Sequence, residues 1–125
     1  IMYVRATLTG PGGQSRRLRL LVDSGAAYTL VPAPAWRALG LKAKRRLAFT
    51  LVDGSEIERP ISECLIKLAG MEAHTPVILG EPDDAPLLGM VTLEVLGLVL
   101  DPFKRELQPM EMRLASSFPR MGWLG

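Results

Sequence analysis

The sequence predicts a mainly β domain with one or two short helices, and three observations lead to it. Glycine-bearing turns at Gly10-Pro11-Gly12-Gly13 and Asp53-Gly54-Ser55 separate runs that alternate apolar and polar residues, as hairpin arms do. Strand-like runs outnumber helical ones along the chain, and both helix candidates are only a turn or two long. The 125 residues suit one domain, able to bury about two thirds of the surface of the unfolded chain, so that neither a metal nor a disulfide is required to hold it.

Met2 to Leu8 reads as the first strand, Gly10 to Gly13 as its turn, and Ser15 to Val22 as the returning arm of a hairpin. A loop through Asp23 leads to a short strand, Thr29-Leu30-Val31. Pro32 to Gly40 then reads as one or two helical turns, with proline at the start and glycine at the stop. Leu47 to Val52 resumes the sheet and turns at Asp53-Gly54-Ser55, where Asp-Gly supplies the positive φ angles of a tight hairpin. The returning arm, Glu56 to Leu68, turns at Ala69-Gly70-Met71 into Glu72 to Leu79. After the loop Gly80 to Pro86 come the apolar triplet Leu87-Leu88-Gly89, a short helix candidate from Val91 to Leu96, and closing strands at Leu98 to Pro102 and Arg105 to Leu114. The two halves share an order of strand, glycine loop and short element, a weak internal similarity in which only the first half carries the aspartate.

Composition narrows the function classes. A formal charge of +2 and 6% aromatic residues, with no stacking pattern among the basic ones, give no nucleic-acid signature. The basic cluster Lys42 to Arg46 reads as a solvated connector between helix and strand. Leu87 to Leu100 is the most apolar stretch, but Glu94 and two glycines interrupt it and it falls short of a membrane span. No signal peptide is visible. Opening on Ile1-Met2 is what an excised fragment or an added scar would give, so flanking domains or anchors are expected. The single Cys64 lies in a strand-like run, as a buried reduced thiol would, and a reducing, cytoplasmic compartment is the expectation. His74 has no cysteine or second histidine near it, so no metal site is expected and no cofactor either, since no phosphate-binding glycine loop occurs. Tyr28 and Trp36 read as core residues or cleft walls.

The most informative segment is Leu20-Leu21-Val22-Asp23-Ser24-Gly25-Ala26. The run Arg17 to Val22 alternates and then turns continuously apolar, as a strand entering a core does. It delivers one carboxylate to a loop in which Gly25 permits a sharp turn and the Ser24 hydroxyl can stiffen it. A carboxylate between two buried strands needs partners or an altered affinity for its proton, and functional sites are built that way. Asp-Ser-Gly is also ordinary turn vocabulary, so the tripeptide alone decides nothing.

The larger pattern resembles the retropepsin-like aspartic proteases, especially small bacterial single-domain members. The residues that carry it are Asp23-Ser24-Gly25-Ala26 after an apolar strand, Tyr28-Thr29-Leu30-Val31-Pro32, the helix ending at Leu39-Gly40, Leu51-Val52-Asp53-Gly54-Ser55, Leu87-Leu88-Gly89, and Leu98-Val99-Leu100-Asp101-Pro102. Their order and spacing match from about Tyr3 to Leu114. The resemblance implies a closed β-barrel over residues 1–114, active as a symmetric homodimer. The tail that follows, 115–125, carries Phe118, Met121, Trp123 and Leu124 and is too apolar to be idle: it would cover the dimer surface, cover its own core, or dock where a missing neighbour belongs. The resemblance also implies that Asp23 is catalytic, that Ser24 braces the loop, and that Gly25 presents its carbonyl to a peptide. Leu51, Val52, Asp53, Gly54 and Ser55 would belong to a substrate-covering flap, while Leu87, Leu88 and Gly89 would support the loop from below. Many viral members carry an acidic residue two positions after the loop glycine and a basic one after the apolar-apolar-Gly triplet; here Ala27 and Met90 stand there, and the flap tip has one glycine.

Peptide hydrolysis without metal or nucleophile requires two carboxylates sharing one proton across a water. Only one Asp-Ser-Gly is present, and neither Asp53, Asp83, Asp84 nor Asp101 follows a comparable buried strand. An active enzyme must therefore pair two Asp23 residues across a two-fold axis, with peptide or protein as substrate and a bell-shaped pH dependence on the acidic side. Interleaving of Met2 to Thr7 with Leu107 to Arg113 would supply the interface. Two other readings remain open: a catalytically silent retropepsin-like module for dimerisation or peptide binding, and a plain β-barrel scaffold in which Asp23 only caps a turn.

Overall fold

The computed structural model describes residues 1–111. Nine strands and two helices follow in the order β1 (Tyr3–Thr9), β2 (Ser15–Val22), β3 (Thr29–Val31), α1 (Ala33–Ala38), β4 (Arg45–Thr50), β5 (Glu56–Leu68), β6 (Met71–Leu79), β7 (Leu87–Leu88), α2 (Met90–Leu96), β8 (Leu98–Asp101) and β9 (Glu106–Pro109). The mainly β expectation is met, with both short helices where glycine and proline punctuate the sequence.

Seven strands form one sheet in the order β1-β2-β7-β3-β6-β5-β4, and β1 also pairs with β5, so the ladders return to their starting strand. The circuit closes where Thr7 to Thr9 meet Leu65 to Lys67. Alternation explains how the circuit fills: Ala6, Leu8 and Leu20 point inward and are buried, while Arg5, Arg17 and Arg19 point out. Val31, Leu39, Ile66, Val77, Leu88 and Leu96 complete the interior from the other elements. Trp36 packs against this core, and its indole N–H donates to the Gly80 carbonyl at 2.8 Å, which satisfies the ring's polar atom.

Three elements differ from expectation. β4 starts at Arg45 because β5 pairs with it as far as Ile61, so Arg45 and Arg46 belong to a strand where a connector was expected; Arg46 Nε donates to Glu58 Oε1 at 3.1 Å. The turn after β4 is wider than a two-residue one. Gly54 N–H donates to the Leu51 carbonyl and Leu51 N–H to the Ser55 carbonyl, with a positive φ of 86° at Gly54 and none at Asp53, the geometry of a three-residue loop with a glycine bulge. Among the described residues the closing strands stay apart from the main sheet: β8 pairs only with β9, and Arg105, with φ of 53°, serves their turn.

The interleaving of Met2 to Thr7 with Leu107 to Arg113 was expected between two subunits; within the chain, Thr7 lies between Arg17 and Lys67, and Leu107 pairs with Leu100. Residues 112–125, including the proposed tail and the end of the last strand, lie outside the described residues. No helix among the described residues is long and apolar enough to cross a membrane.

Cys64 sits in the core at 3% exposure. Burial, helped by the neighbouring Glu63 charge, pushes its thiol up from 9.0 to about 12. The folded chain then holds a proton that the unfolded chain gives up, so stability is full below the ordinary thiol range and falls as pH climbs from 9.0 towards 12. The expected slope is at most about 1.4 kcal/mol per pH unit. Urea unfolding across that window should show the slope in the native chain and lose it in Cys64→Val; equal slopes would refute this account.

Candidate active site

Asp23 follows directly from β2, and β7 holds it in place. β7 runs parallel to β2, with Leu87 beside Leu21 and Leu88 beside Val22, and antiparallel to β3 at Leu30. Its apolar side chains explain the wedge between two strands: Leu88 is fully buried, and a residue that apolar has no stable position elsewhere. Asp23 N–H donates to the Leu88 carbonyl at 3.1 Å, continuing the ladder into the loop.

The loop is a tight turn. Ala26 N–H donates to the Asp23 carbonyl at 3.1 Å, and Gly25 N–H donates to Asp23 Oδ1 at 2.9 Å. The second carboxylate oxygen, Oδ2, has no partner among the described residues. Asp23 is half-buried, with Ser24 and Gly25 exposed beside it. The expected enclosure of the carboxylate is thus incomplete in one chain, and the Ser24 hydroxyl makes no hydrogen bond among the described residues. What stiffens the turn is the aspartate itself together with the backbone.

Support from below is tighter than the sequence suggested. A Cβ built on Gly89 would lie 2.4 Å from the Tyr28 carbonyl carbon and 2.6 Å from the Ala27 carbonyl oxygen, so only glycine lets these segments touch. At the next two residues Met90 N–H donates to the Ala26 carbonyl and Val91 N–H to the Ala27 carbonyl, both at 2.9 Å. The first turn of α2 therefore finds its acceptors in the aspartate loop, which supplies what a side-chain cap would. Backbone hydrogen bonds, with Met90 packed on the core, join the two segments where an ion pair could have stood.

Three buried threonines lock this arrangement, and the sequence reading missed them. Gly89 N–H donates to Thr29 Oγ1 at 3.0 Å; Thr29 and Thr92 share a hydroxyl contact, as do Thr92 and Thr75 at 2.8 Å; and Thr75 donates to the Pro76 carbonyl at 3.3 Å. One direction satisfies every hydroxyl, from Gly89 through Thr29, Thr92 and Thr75 to Pro76. The available signal was a threonine inside each of three apolar runs, since a buried hydroxyl needs a partner. Thr29→Val would leave Gly89 N–H unpaired and should cost about 2–3 kcal/mol, whereas Thr29→Ser should cost about 1 kcal/mol for the lost methyl. Chemical denaturation of both variants checks this; equal costs would dismiss the hydrogen-bond chain as the cause.

The hairpin of β4 and β5 carries the expected flap residues. Leu51 and Val52 are exposed large apolar side chains at its tip. Asp53 Oδ1 accepts from the Ser55 hydroxyl at 2.6 Å and the Ser55 N–H at 2.9 Å. These bonds, the hydroxyl's first, hold its carboxyl below the usual range. The charged turn thus persists into mild acid and is lost only as pH falls below the ordinary aspartate range. One ladder position before the end of β4, Phe49 meets Tyr28 edge to face, with ring centroids 6.1 Å apart. Tyr28 follows the aspartate loop, so this contact ties the tip end of the hairpin to the loop.

The structure therefore joins Asp23, Ser24, Gly25 and Ala26 to Leu87, Leu88 and Gly89 directly, and connects the hairpin through Tyr28 and Phe49. His74 is exposed on β6, outside this group.

Comparison with known proteins agrees with that assembly. The family described as "gag-polyprotein putative aspartyl protease" matches residues 13–95, a span that holds both the aspartate loop and the Leu87-Leu88-Gly89 support. The solution structure of the simian foamy virus (mac) protease is similar in fold, with a TM-score of 0.54 at 20% identity, covering 74% of this chain and 92% of that one. A search of curated proteins found no match. A family match over more than half of the sequence, together with a retroviral-protease fold, leads to one conclusion: the chain belongs to the retroviral-type aspartyl protease family.

Proposed function

We propose that this chain is an aspartic endopeptidase that works as a homodimer, with water as nucleophile between two Asp23 carboxyls, one from each subunit. The observation that carries the reading is the state of Asp23: a half-buried carboxylate, held by Gly25 N–H on one oxygen, with no partner for Oδ2 among the described residues and exposed Ser24 and Gly25 beside it. Two-fold pairing would cover that loop and bring a second carboxyl alongside. At such a distance both cannot stay ionised cheaply, so the pair shares a proton.

The proton inventory then balances. The ionised Asp23 takes a proton from water as its oxygen attacks the scissile carbonyl carbon, while the protonated Asp23 gives its proton to the carbonyl oxygen. Collapse of the tetrahedral intermediate breaks the C–N bond, and a proton passes to the leaving amine. Leu51 and Val52, exposed at the hairpin tip, would cover the bound peptide, with Asp53 keeping the turn closed in mild acid.

Hydrolysis of a mixed peptide library from acid to neutral pH, at several protein concentrations, tests the proposal. Cleavage that is bell-shaped in pH and rises faster than linearly with dilute protein supports it. Absence of cleavage from a protein shown by sedimentation to be dimeric overturns it in favour of a silent binding module.

A further inference from the structure

β5 receives its neighbours on one side in two blocks. β4 pairs with it from Glu56 to Ile61 and β1 from Leu65 to Lys67, and between these blocks Ser62, Glu63 and Cys64 pair with neither. The break opens into a cleft of about 530 Å³ bordered by the start of the β1–β2 turn, the segment from α1 to β4, and β5. Thr9 and Tyr3 mark opposite ends of the β1–β2 ladder, so the cleft lies about 20 Å from Asp23 along the strands.

The backbone in the break faces the cleft. Ile61 turns its carbonyl to the β4 side, where it accepts Lys44 N–H at 2.8 Å. Two residues on, Glu63 presents its N–H and C=O to the same side. Continuing the register of Thr9 with Leu65 would bring Pro11 opposite Glu63, and proline has no N–H to donate there. A strand edge one or two residues long is thus one that Pro11 cannot close.

The chemistry around it is apolar below and cationic above. Leu41 and Cys64 are buried at its floor. Lys42, Lys44 and His74 line the rim with a single carboxylate, Glu63, which Lys44 holds at 3.0 Å. Lys42 has no ion pair among the described residues.

We propose that this break is a docking slot for an extended peptide with acidic side chains, which pairs with the Glu63 backbone and sets its carboxylates against Lys42 and Lys44. Main-chain pairing supplies affinity without sequence demand, and the two lysines select for acidic residues. The cleft volume accommodates a few residues of extended chain. Lys44 also leads into β4, so an occupant would join the base of the hairpin to β1. The slot is separate from Asp23, and the inference does not rest on the catalytic reading.

The test uses isotope-labelled Asp23→Asn chain, which cannot consume the probe, titrated with heptapeptides alternating valine with glutamate or valine with lysine. The glutamate peptide should shift the Glu63, Ala43 and Gly10 amide signals and slow hydrogen exchange at Glu63. Its affinity should fall about tenfold or more in the chain also carrying Lys42→Glu and Lys44→Glu, and the lysine peptide should bind the parent chain at least about tenfold more weakly. The Lys44 ion pair is exposed, so its loss should leave thermal unfolding nearly unchanged. Shifts confined to the Asp23 loop and hairpin tip, no slowing at Glu63, or equal affinity after charge reversal would overturn the proposal.

Discussion

Asp23→Asn is expected to lower peptide hydrolysis by about 10³-fold or more, because one side chain supplies both halves of a shared-proton pair. The substitution leaves the loop's geometry in place: asparagine keeps an oxygen for Gly25 N–H, now 2.9 Å from Asp23 Oδ1, and has the same shape. Unfolding free energy should therefore stay within about 1 kcal/mol of the parent chain. Mixing the two proteins sharpens the test. If each active unit needs two Asp23 residues, a threefold excess of variant should reduce activity per parent subunit to about one quarter once subunits exchange. Activity that stays proportional to the parent chain would show that one subunit suffices. Full turnover by Asp23→Asn alone would remove the aspartate from the mechanism.

Gly89→Ala is expected to have the largest effect on stability, about 3 kcal/mol or more. Gly89 has a φ of −92°, which any residue tolerates, so space alone is at issue. A Cβ there would press on the backbone of Tyr28 and Ala27 at 2.4 and 2.6 Å, and backbone cannot swing aside as a long side chain can. Relief requires the aspartate loop to lift away from α2, which weakens the hydrogen bonds from Met90 and Val91 to Ala26 and Ala27. Activity should fall together with stability. Urea unfolding and a cleavage assay on the same preparation measure both. A variant with unchanged stability would show that the loop yields freely and that the close approach does no holding.

Much of this site could be read along the chain because its determinants are local. An apolar run ending in Asp23-Ser24-Gly25 announces a strand that exits a core into a turn, and Leu87-Leu88-Gly89 announces a buried pair closed by a small residue. Turn chemistry likewise placed the hairpin at Asp53-Gly54-Ser55, although the glycine alone took the positive φ. The errors arose where partners are remote in sequence. β4 reached back to Arg45 because β5 offered Ile61 as a partner, and no local preference of two arginines could announce that. The closing strands left the main sheet for the same reason, since pairing depends on which edges remain open. The threonine chain joins residues 63 positions apart, a distance over which polarity in an apolar run warns of a partner without naming it.

The sequence by itself determined the β-rich class, the place of both helices, the single aspartate loop and the apolar segment beneath it, because period, turn residues and burial preference act over a few neighbouring residues. Only the tertiary structure decided that β7 lies between β2 and β3, that α2 finds its first acceptors in Ala26 and Ala27, and that neither β4 nor β1 pairs with β5 at Glu63. Those outcomes depend on which hydrogen-bonding edges meet once the core has closed, and edge pairing is a property of the assembled sheet.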